Sequence, residues 1–199
     1  MNGTVNYKDK IGKWVSVDRR SGKALFTQSG SVWYDMRTRC LVGGSIQSRQ
    51  SRYIGCTISD NFCDFQKFTD WHIKQSGFGL FGYELDKDLL IIGNKLYSEE
   101  TCVLLPKELN MFLISEKIDQ GLWPAGVYLD KRRNNFVARL SILGKQVYLG
   151  AYATPEQASA AYVDAKNNEA RRWVARLKTN EFIVDERVIN RLENWSVKV

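Results

Sequence analysis

Arg139 and Tyr148 flank the dipeptide Leu143-Gly144 symmetrically, so a two-residue hairpin loop there sets them opposite each other. The same register pairs Ile142 with Lys145, Leu140 with Val147 and Ala138 with Leu149. Strand side chains alternate between faces, which puts Phe136, Ala138, Leu140, Val147 and Leu149 on one apolar side. Val137, Arg139, Ser141, Gln146 and Tyr148 share the other side. A cation, an aromatic ring and an amide together suit non-covalent reading of a nucleic acid. A basic turn, Asp130-Lys131-Arg132-Arg133-Asn134, leads into this hairpin from Gly126-Val127-Tyr128-Leu129.

Other chemically capable residues are scattered. Cys40, Cys56, Cys63 and Cys102 include no Cys-x-x-Cys pair, so buried, inert thiols are expected in place of a structural zinc site. His72 is the only histidine and has no partner identifiable by spacing. Gly77, Gly79 and Gly82 are not a phosphate-binding loop, because no Lys-Ser/Thr follows them.

The hairpin needs a support, and the following segment supplies one. Thr154 can cap, Pro155 suits the first helical position, and Gln157 completes a Thr-x-x-Gln capping box. Ala158, Ala161, Tyr162 and Ala165 form one apolar stripe at helical spacing, and the alanines allow close approach to a sheet. Three strands with one helix across the back is the expected unit.

Charge concentrates in the same place. The 199 residues carry a net +7; residues 126–199 hold 13 Lys/Arg against 8 Asp/Glu, and residues 1–125 hold 16 against 14. Phosphate binding requires such an excess, although a solvated basic face has the same composition. A hydrophobic content of 44% supports a real core. No run reaches the roughly 18–20 apolar residues of a membrane span, and Met1-Asn2-Gly3-Thr4 lacks a signal-peptide core. A cytoplasmic protein that does not enter a membrane is the expectation.

Gly126-Val127, the basic turn, Phe136-Val137-Ala138, Tyr148-Leu149-Gly150 and Thr154-x-Glu156-x-Ala158-x-x-Ala161-Tyr162 resemble the plant ethylene-response-factor (Apetala-type) DNA-binding domain. Related copies of that domain occur in bacteriophage and mobile-element nucleases. The likeness covers roughly a quarter of the chain. It implies a sheet laid in the major groove, with Tyr128, Arg132, Arg139, Ser141 and Tyr148 facing double-stranded DNA. Phosphate contacts would come from Lys131, Arg132, Arg133 and Lys145, and base-edge contacts from Arg139, Ser141 and Tyr148. Tyr128 and Tyr148 stand where family members usually carry arginine and tryptophan, so the plant target sequence does not carry over.

In the first half, Lys13–Val17 and Lys23–Phe26 read as a hairpin around Asp18-Arg19-Arg20-Ser21-Gly22. Val32, Met36 and Cys40 mark a helix following Gly30 and Ser31, with Arg37 and Arg39 open to phosphates or to acidic neighbours. Residues 43–52 read as a polar loop whose two arginines could order on DNA. Ser59-Asp60 starts a helix bearing Phe62, Phe65, Phe68 and Trp71, an aromatic row read as core. A strand is expected over Tyr83–Ile92, and a helix ends near Met111–Ile114. Near the other end, Val188, Leu192 and Trp195 predict a docking helix.

Leu85-Asp86-Lys87-Asp88, Gly93-Asn94-Lys95, Ser98–Cys102 and Asn110 resemble a degenerate HNH nuclease motif. Together with Trp33-x-x-Met36-x-x-Arg39-Cys40 and Tyr53-x-Gly55-Cys56, they are similar to the N-terminal half of phage HNH-type homing endonucleases. The resemblance implies catalytic positions at Asp86, Lys87 and Asp88. It also implies oxygen ligands at Asp86, Asp88 and Asn110 for Mg2+ or another divalent cation. Lys87 occupies the place of the general-base histidine. A lysine can take that role only with its pKa lowered by several units, and flanking carboxylates oppose the shift. The other reading of these residues is support of a hairpin.

The expected whole is α+β: an HNH-like ββα domain over residues 1–118, then a three-stranded antiparallel sheet on one helix, with a C-terminal helix, over residues 119–199. The resemblances imply a sequence-selective binder of double-stranded DNA, placed in a bacterial host if phage-encoded. Two functions stay open, a metal-dependent homing endonuclease and a non-catalytic regulator with a host protein as further partner.

Overall fold

In a computed structural model, which describes residues 15–17, 24–114 and 122–197, short strands alternate with helices in an α+β architecture. The chain divides into two units, Met1–Leu104 and Leu105–Val199.

The first unit opens on the expected hairpin. β1 (Val15–Val17) pairs antiparallel with β2 (Ala24–Phe26), Ser16 opposite Leu25. The turn Asp18–Gly22 lies outside the described residues. α1 (Gln28–Cys40) begins four residues before Val32, because the Thr27 hydroxyl accepts from Gly30 N at 3.0 Å and caps the helix there. Met36 on its inner face is fully buried in a core with Phe62, Phe68, Leu85, Tyr97 and Cys102. Residues 43–52 are ordered rather than a simple loop. They form α2 (Ser45–Arg49) and a 3-10 turn, Ser51–Tyr53, tied down by buried Gln47, whose Nε2 donates to Arg39 O and Tyr53 O.

The aromatic helix is two helices. α3 (Asp60–Cys63) is capped by Ser59, and α4 (Phe65–His72) by Asp64, whose Oδ1 accepts from Lys67 N at 3.0 Å. A second cap inside the row interrupts the helix. Phe62 and Phe68 are nevertheless core, with rings edge to face at 5.0 Å.

β3 (Thr57–Ile58) pairs in parallel with β5 (Leu96–Tyr97), and β4 (Tyr83–Asp86) pairs with β6 (Val103–Pro106). The strand expected over Tyr83–Ile92 stops at Asp86. There the carboxylate Oδ1 accepts from Asp88 N at 2.9 Å and Leu89 N at 2.7 Å, which turns the chain out of the ladder. Ile91 and Ile92 are consequently exposed.

α5 (Lys107–Ile114) follows β6 directly, and β5 lies between β4 and β6 in the chain. The units divide at Leu104/Leu105, whereas the sequence reading placed the boundary at 118/119. The reason is packing: the Phe112 ring of α5 lies 5.5 Å from Trp195, within the C-terminal unit.

That second unit is built on a sheet of order β7-β8-β9, from β7 (Val127–Asp130), β8 (Asn135–Ile142) and β9 (Lys145–Tyr152), antiparallel throughout. α6 (Pro155–Lys178) covers one face, capped by the Thr154 hydroxyl accepting from Gln157 N. Ala158 and Tyr162 are buried against Val127, Ala138 and Leu140. Gly126, at φ 72°, is the point of closest approach: a Cβ there would lie 2.1 Å from the Tyr162 ring and 2.9 Å from Arg139 O. Beyond the sheet, α6 buries Trp173 and Leu177, and Val188 and Leu192 of α7 (Glu186–Glu193) are buried as the docking helix requires.

Candidate nucleic-acid interface

The hairpin loop is Leu143-Gly144, with φ of 48° and 77°. Positive φ at both central positions is the type I′ signature, whose twist matches that of the flanking strands. It fixes Ile142 opposite Lys145, Ser141 opposite Gln146, Leu140 opposite Val147 and Arg139 opposite Tyr148. The expected pairing of Ala138 with Leu149 does not continue. A bulge intervenes, and Ala138 pairs with Gly150, Val137 with Ala151 and Phe136 with Tyr152. One extra residue reverses the alternation of the rest of β9. Leu149 and Tyr152 therefore both pack on the helix side, and Ala151 joins Tyr148 on the opposite face. Gly150, at φ 146°, suits the bulge, since a Cβ there would lie 2.7 Å from the Tyr152 hydroxyl.

The face away from α6 is shallowly concave, about 380 Å³ in volume. Tyr128, Lys131, Arg132, Arg133, Arg139 and Tyr148 line it, over a floor that includes Val137 and Ala151. Six of the eight predicted contact residues thus gather in one hollow. Ser141 lies further along β8 on the same face, while Lys145, opposite Ile142, starts β9 on the other side and is exposed. Val137 is buried although it belongs to the open face, and Val147 is more than a third exposed although it belongs to the apolar one. Neither burial was legible from alternation alone. Arg139 lies over the Tyr128 ring, 5.0 Å from its centroid, which preorients the guanidinium across the hollow.

Comparison of the chain with protein-family models, with curated proteins and with solved structures returns no match. The site must therefore be read from its own geometry.

Cations without ion partners gather on this face. Among the described residues, none of Lys131, Arg132, Arg133, Arg139 and Lys145 forms an ion pair. The turn's one carboxylate, Asp130, has its Oδ1 engaged by Arg132 N at 3.0 Å and so shapes the turn. Elsewhere in the same unit some cations are matched: Arg176 meets Glu169 at 2.8 Å, and Lys178 meets Glu193. Uncompensated cations beside exposed tyrosines can take phosphate oxygens and base edges; the hollow offers no buried acid–base pair for covalent chemistry.

The other predicted positions serve their own loop. Lys87 is buried, donating Nζ to Asp88 Oδ1 at 2.8 Å and to Asn94 O at 3.1 Å, and lying over the Tyr97 ring. Asn94 closes the loop by donating Nδ2 to Lys87 O and Leu96 O. Lys87 thus acts as a donor in both bonds. Asp86 Oδ1 caps the turn, Asp88 Oδ1 holds Lys87, and Asn110 sits on α5, counted with the other unit. One oxygen of each carboxylate, Asp86 Oδ1 and Asp88 Oδ1, is thus engaged within the loop itself. Among the described residues no group of three or more His, Cys, Asp or Glu side chains could hold a metal ion.

The four cysteines are free thiols. Burial pushes Cys40 and Cys102 up to about 12, so both are protonated at neutral pH. His72 is fully buried beside Phe68 and Trp71, with Nδ1 2.8 Å from Ser29 Oγ and Nε2 without a hydrogen-bond partner among the described residues. Burial lowers its pKa to about 4, so it is neutral at pH 7 and packed as core. No helix among the described residues is long and apolar enough to cross a membrane.

Proposed function

We propose that the chain binds double-stranded DNA with sequence preference through the open face of β7-β8-β9. The observation that carries this is the hollow formed by Tyr128, Lys131, Arg132, Arg133, Arg139 and Tyr148, whose cations lack acidic partners among the described residues. Lys131, Arg132 and Arg133 come from the turn after β7 and suit the phosphates of the groove walls. Arg139 and Tyr148, side by side at the centre, suit base edges. The resemblance to phage homing endonucleases with an ethylene-response-factor-like domain points to the same ligand. Arg139→Ala is expected to cost about 1–3 kcal/mol on the preferred duplex and to flatten the preference among sequences. Lys131→Ala should weaken all duplexes alike and lower the salt slope by about 1. Selected-site binding followed by anisotropy titrations measures both; a uniform loss across sequences for Arg139→Ala sinks the base-reading role.

Of the two activities compatible with DNA binding, the non-catalytic one is favoured by the engagement of Asp86, Lys87 and Asp88 within their own loop. In this reading the HNH-like half is a scaffold or a surface for a host protein. Plasmid incubation with Mg2+ or Mn2+ decides between them. An uncut plasmid that is nevertheless shifted on a gel is expected. Nicking that both Asp86→Ala and Lys87→Ala abolish, with the fold retained by circular dichroism, establishes the nuclease instead.

A further inference from the structure

Arg39 and Arg52 converge on one ring in the first unit: their guanidinium carbons lie 5.5 Å and 5.0 Å from the Tyr53 centroid. Arg39 comes from the last turn of α1, and Arg52 and Tyr53 come from the 3-10 turn. Gln47 holds these two segments together through its bonds to Arg39 O and Tyr53 O. A third cation joins from the chain before β5, where Lys95 Nζ donates to Arg52 O at 2.7 Å. Arg52 and Lys95 are exposed and Arg39 is half-buried.

What the cluster lacks is negative charge. Among the described residues none of Arg39, Arg52 and Lys95 forms an ion pair, and Arg52 Nη2 donates to the neutral amide oxygen of Gln50. Asp35, one turn back on α1, acts on Arg39 only at a distance. Like charges sharing one ring lie within about a Debye length, ~10 Å at 0.1 M salt, so they repel one another. The ring's quadrupole offsets part of that repulsion. A polyanion would remove the rest. The exposed Arg52 guanidinium and Lys95 ammonium, backed by the half-buried Arg39 that hydrogen-bonds Tyr97, match a run of backbone phosphates better than a single small anion.

We propose that the Tyr53-centred cluster of Arg39, Arg52 and Lys95 is a second phosphate-contacting surface, which binds duplex DNA without regard to sequence. This rests on the duplex-DNA reading of the sheet and adds an affinity element in the other unit. Sheet face and cluster then have different tasks, selection in one and salt-dependent grip in the other.

The test uses the full chain and an arbitrary-sequence duplex, with Kd followed against NaCl by fluorescence anisotropy. Replacing Arg52→Gln and Lys95→Gln together is expected to reduce the slope of log K against log salt by about 1.8, two charges at ~0.9 each. The charge-preserving pair Arg52→Lys and Lys95→Arg should keep the wild-type slope. An unchanged slope in the glutamine pair overturns the proposal, and so does an equal fall in both pairs, which would show a structural effect. The sheet pair Arg132→Gln and Arg133→Gln is run in parallel. If its slope is unchanged while the Arg52/Lys95 pair falls, the sheet reading fails and the cluster stands. Because Leu41, Val42 and Ile54 nearby are exposed, vesicles of phosphatidylserine and phosphatidylcholine form a competing arm. Wild-type protein that sediments with the vesicles and shows no salt-dependent duplex binding overturns the proposal in favour of a lipid surface.

Discussion

Asp86, Lys87 and Asp88 hold one another and their own loop, whereas Lys131, Arg132, Arg133 and Arg139 hold no carboxylate among the described residues. Both stretches are rich in charge in the sequence. The difference lies in how each charge is matched. In the first stretch a lysine lies between two aspartates, and a neutral amide, Asn94, completes the network, so the segment is electrostatically finished. In the second, three consecutive cations face one aspartate whose Oδ1 is taken up by a backbone N–H. An unfinished charge distribution is free to take an anionic ligand. A finished one stabilises the loop, which is why similar chemistry in two places supports two different readings.

The contrast is most easily broken at Gly126. Alanine there must place a Cβ 2.1 Å from the Tyr162 ring on a backbone at φ 72°. Overpacking and the left-handed conformation together cost about 3 kcal/mol. Hydrogen exchange should show β7-β8-β9 and α6 losing protection while β4 and α4 keep theirs. DNA binding through the sheet should weaken in step. Equal loss of protection in both units would show that the reading face does not owe its order to its own small core.

A pH change acts on the other side of the comparison. His72 is held at about 4 in the folded state, against roughly 6.5 when unfolded. Between those values the unfolded chain binds the proton and the folded one does not. Stability from this group is therefore complete above about pH 6.5, falls as pH drops toward 4, and levels below that. The total is about 3 kcal/mol. Urea unfolding at pH 7 and at pH 4.5 measures it, and His72→Gln, which cannot titrate, should flatten the curve. A pH response unchanged by that substitution would assign the acid sensitivity elsewhere.

Local rules made most of the second unit legible, and missed particular features of both units for identifiable reasons. The loop Leu143-Gly144 and alternation gave the pairing of Arg139 with Tyr148, and the Thr154 box gave the start of α6. Those features depend on residues within a few positions of one another. The Leu149 bulge did not show, because it is decided by how Phe136 and Tyr152 reach the helix side together. Asp86 and Asp64 were read as members of a strand and a helix; both instead turn side-chain oxygens onto backbone N–H groups and end or begin elements. Residues 43–52 looked like loop because their order comes from Gln47 reaching Arg39 and Tyr53. The Tyr53-centred cation cluster was unreadable for the same reason, since its members come from three separate segments.

The smallest effect tests the feature on which the reading face depends, its register. Leu143 adopts φ 48° in a loop position that favours Asn or Gly, and its side chain is 43% exposed. The left-handed backbone is strained for leucine, and little packing is lost by replacing it. Leu143→Asn should therefore stabilise by about 1 kcal/mol, equivalent to roughly 3 °C in Tm for a chain of this size. The cross-strand nuclear Overhauser contacts between Arg139 and Tyr148 should be preserved, and duplex affinity should not change. If the variant instead loses stability, Leu143 contributes more packing at the hairpin tip than its exposure indicates. If the Arg139–Tyr148 contacts move, the loop alone does not set the register, and the bulge at Leu149 becomes the element that orders the interface.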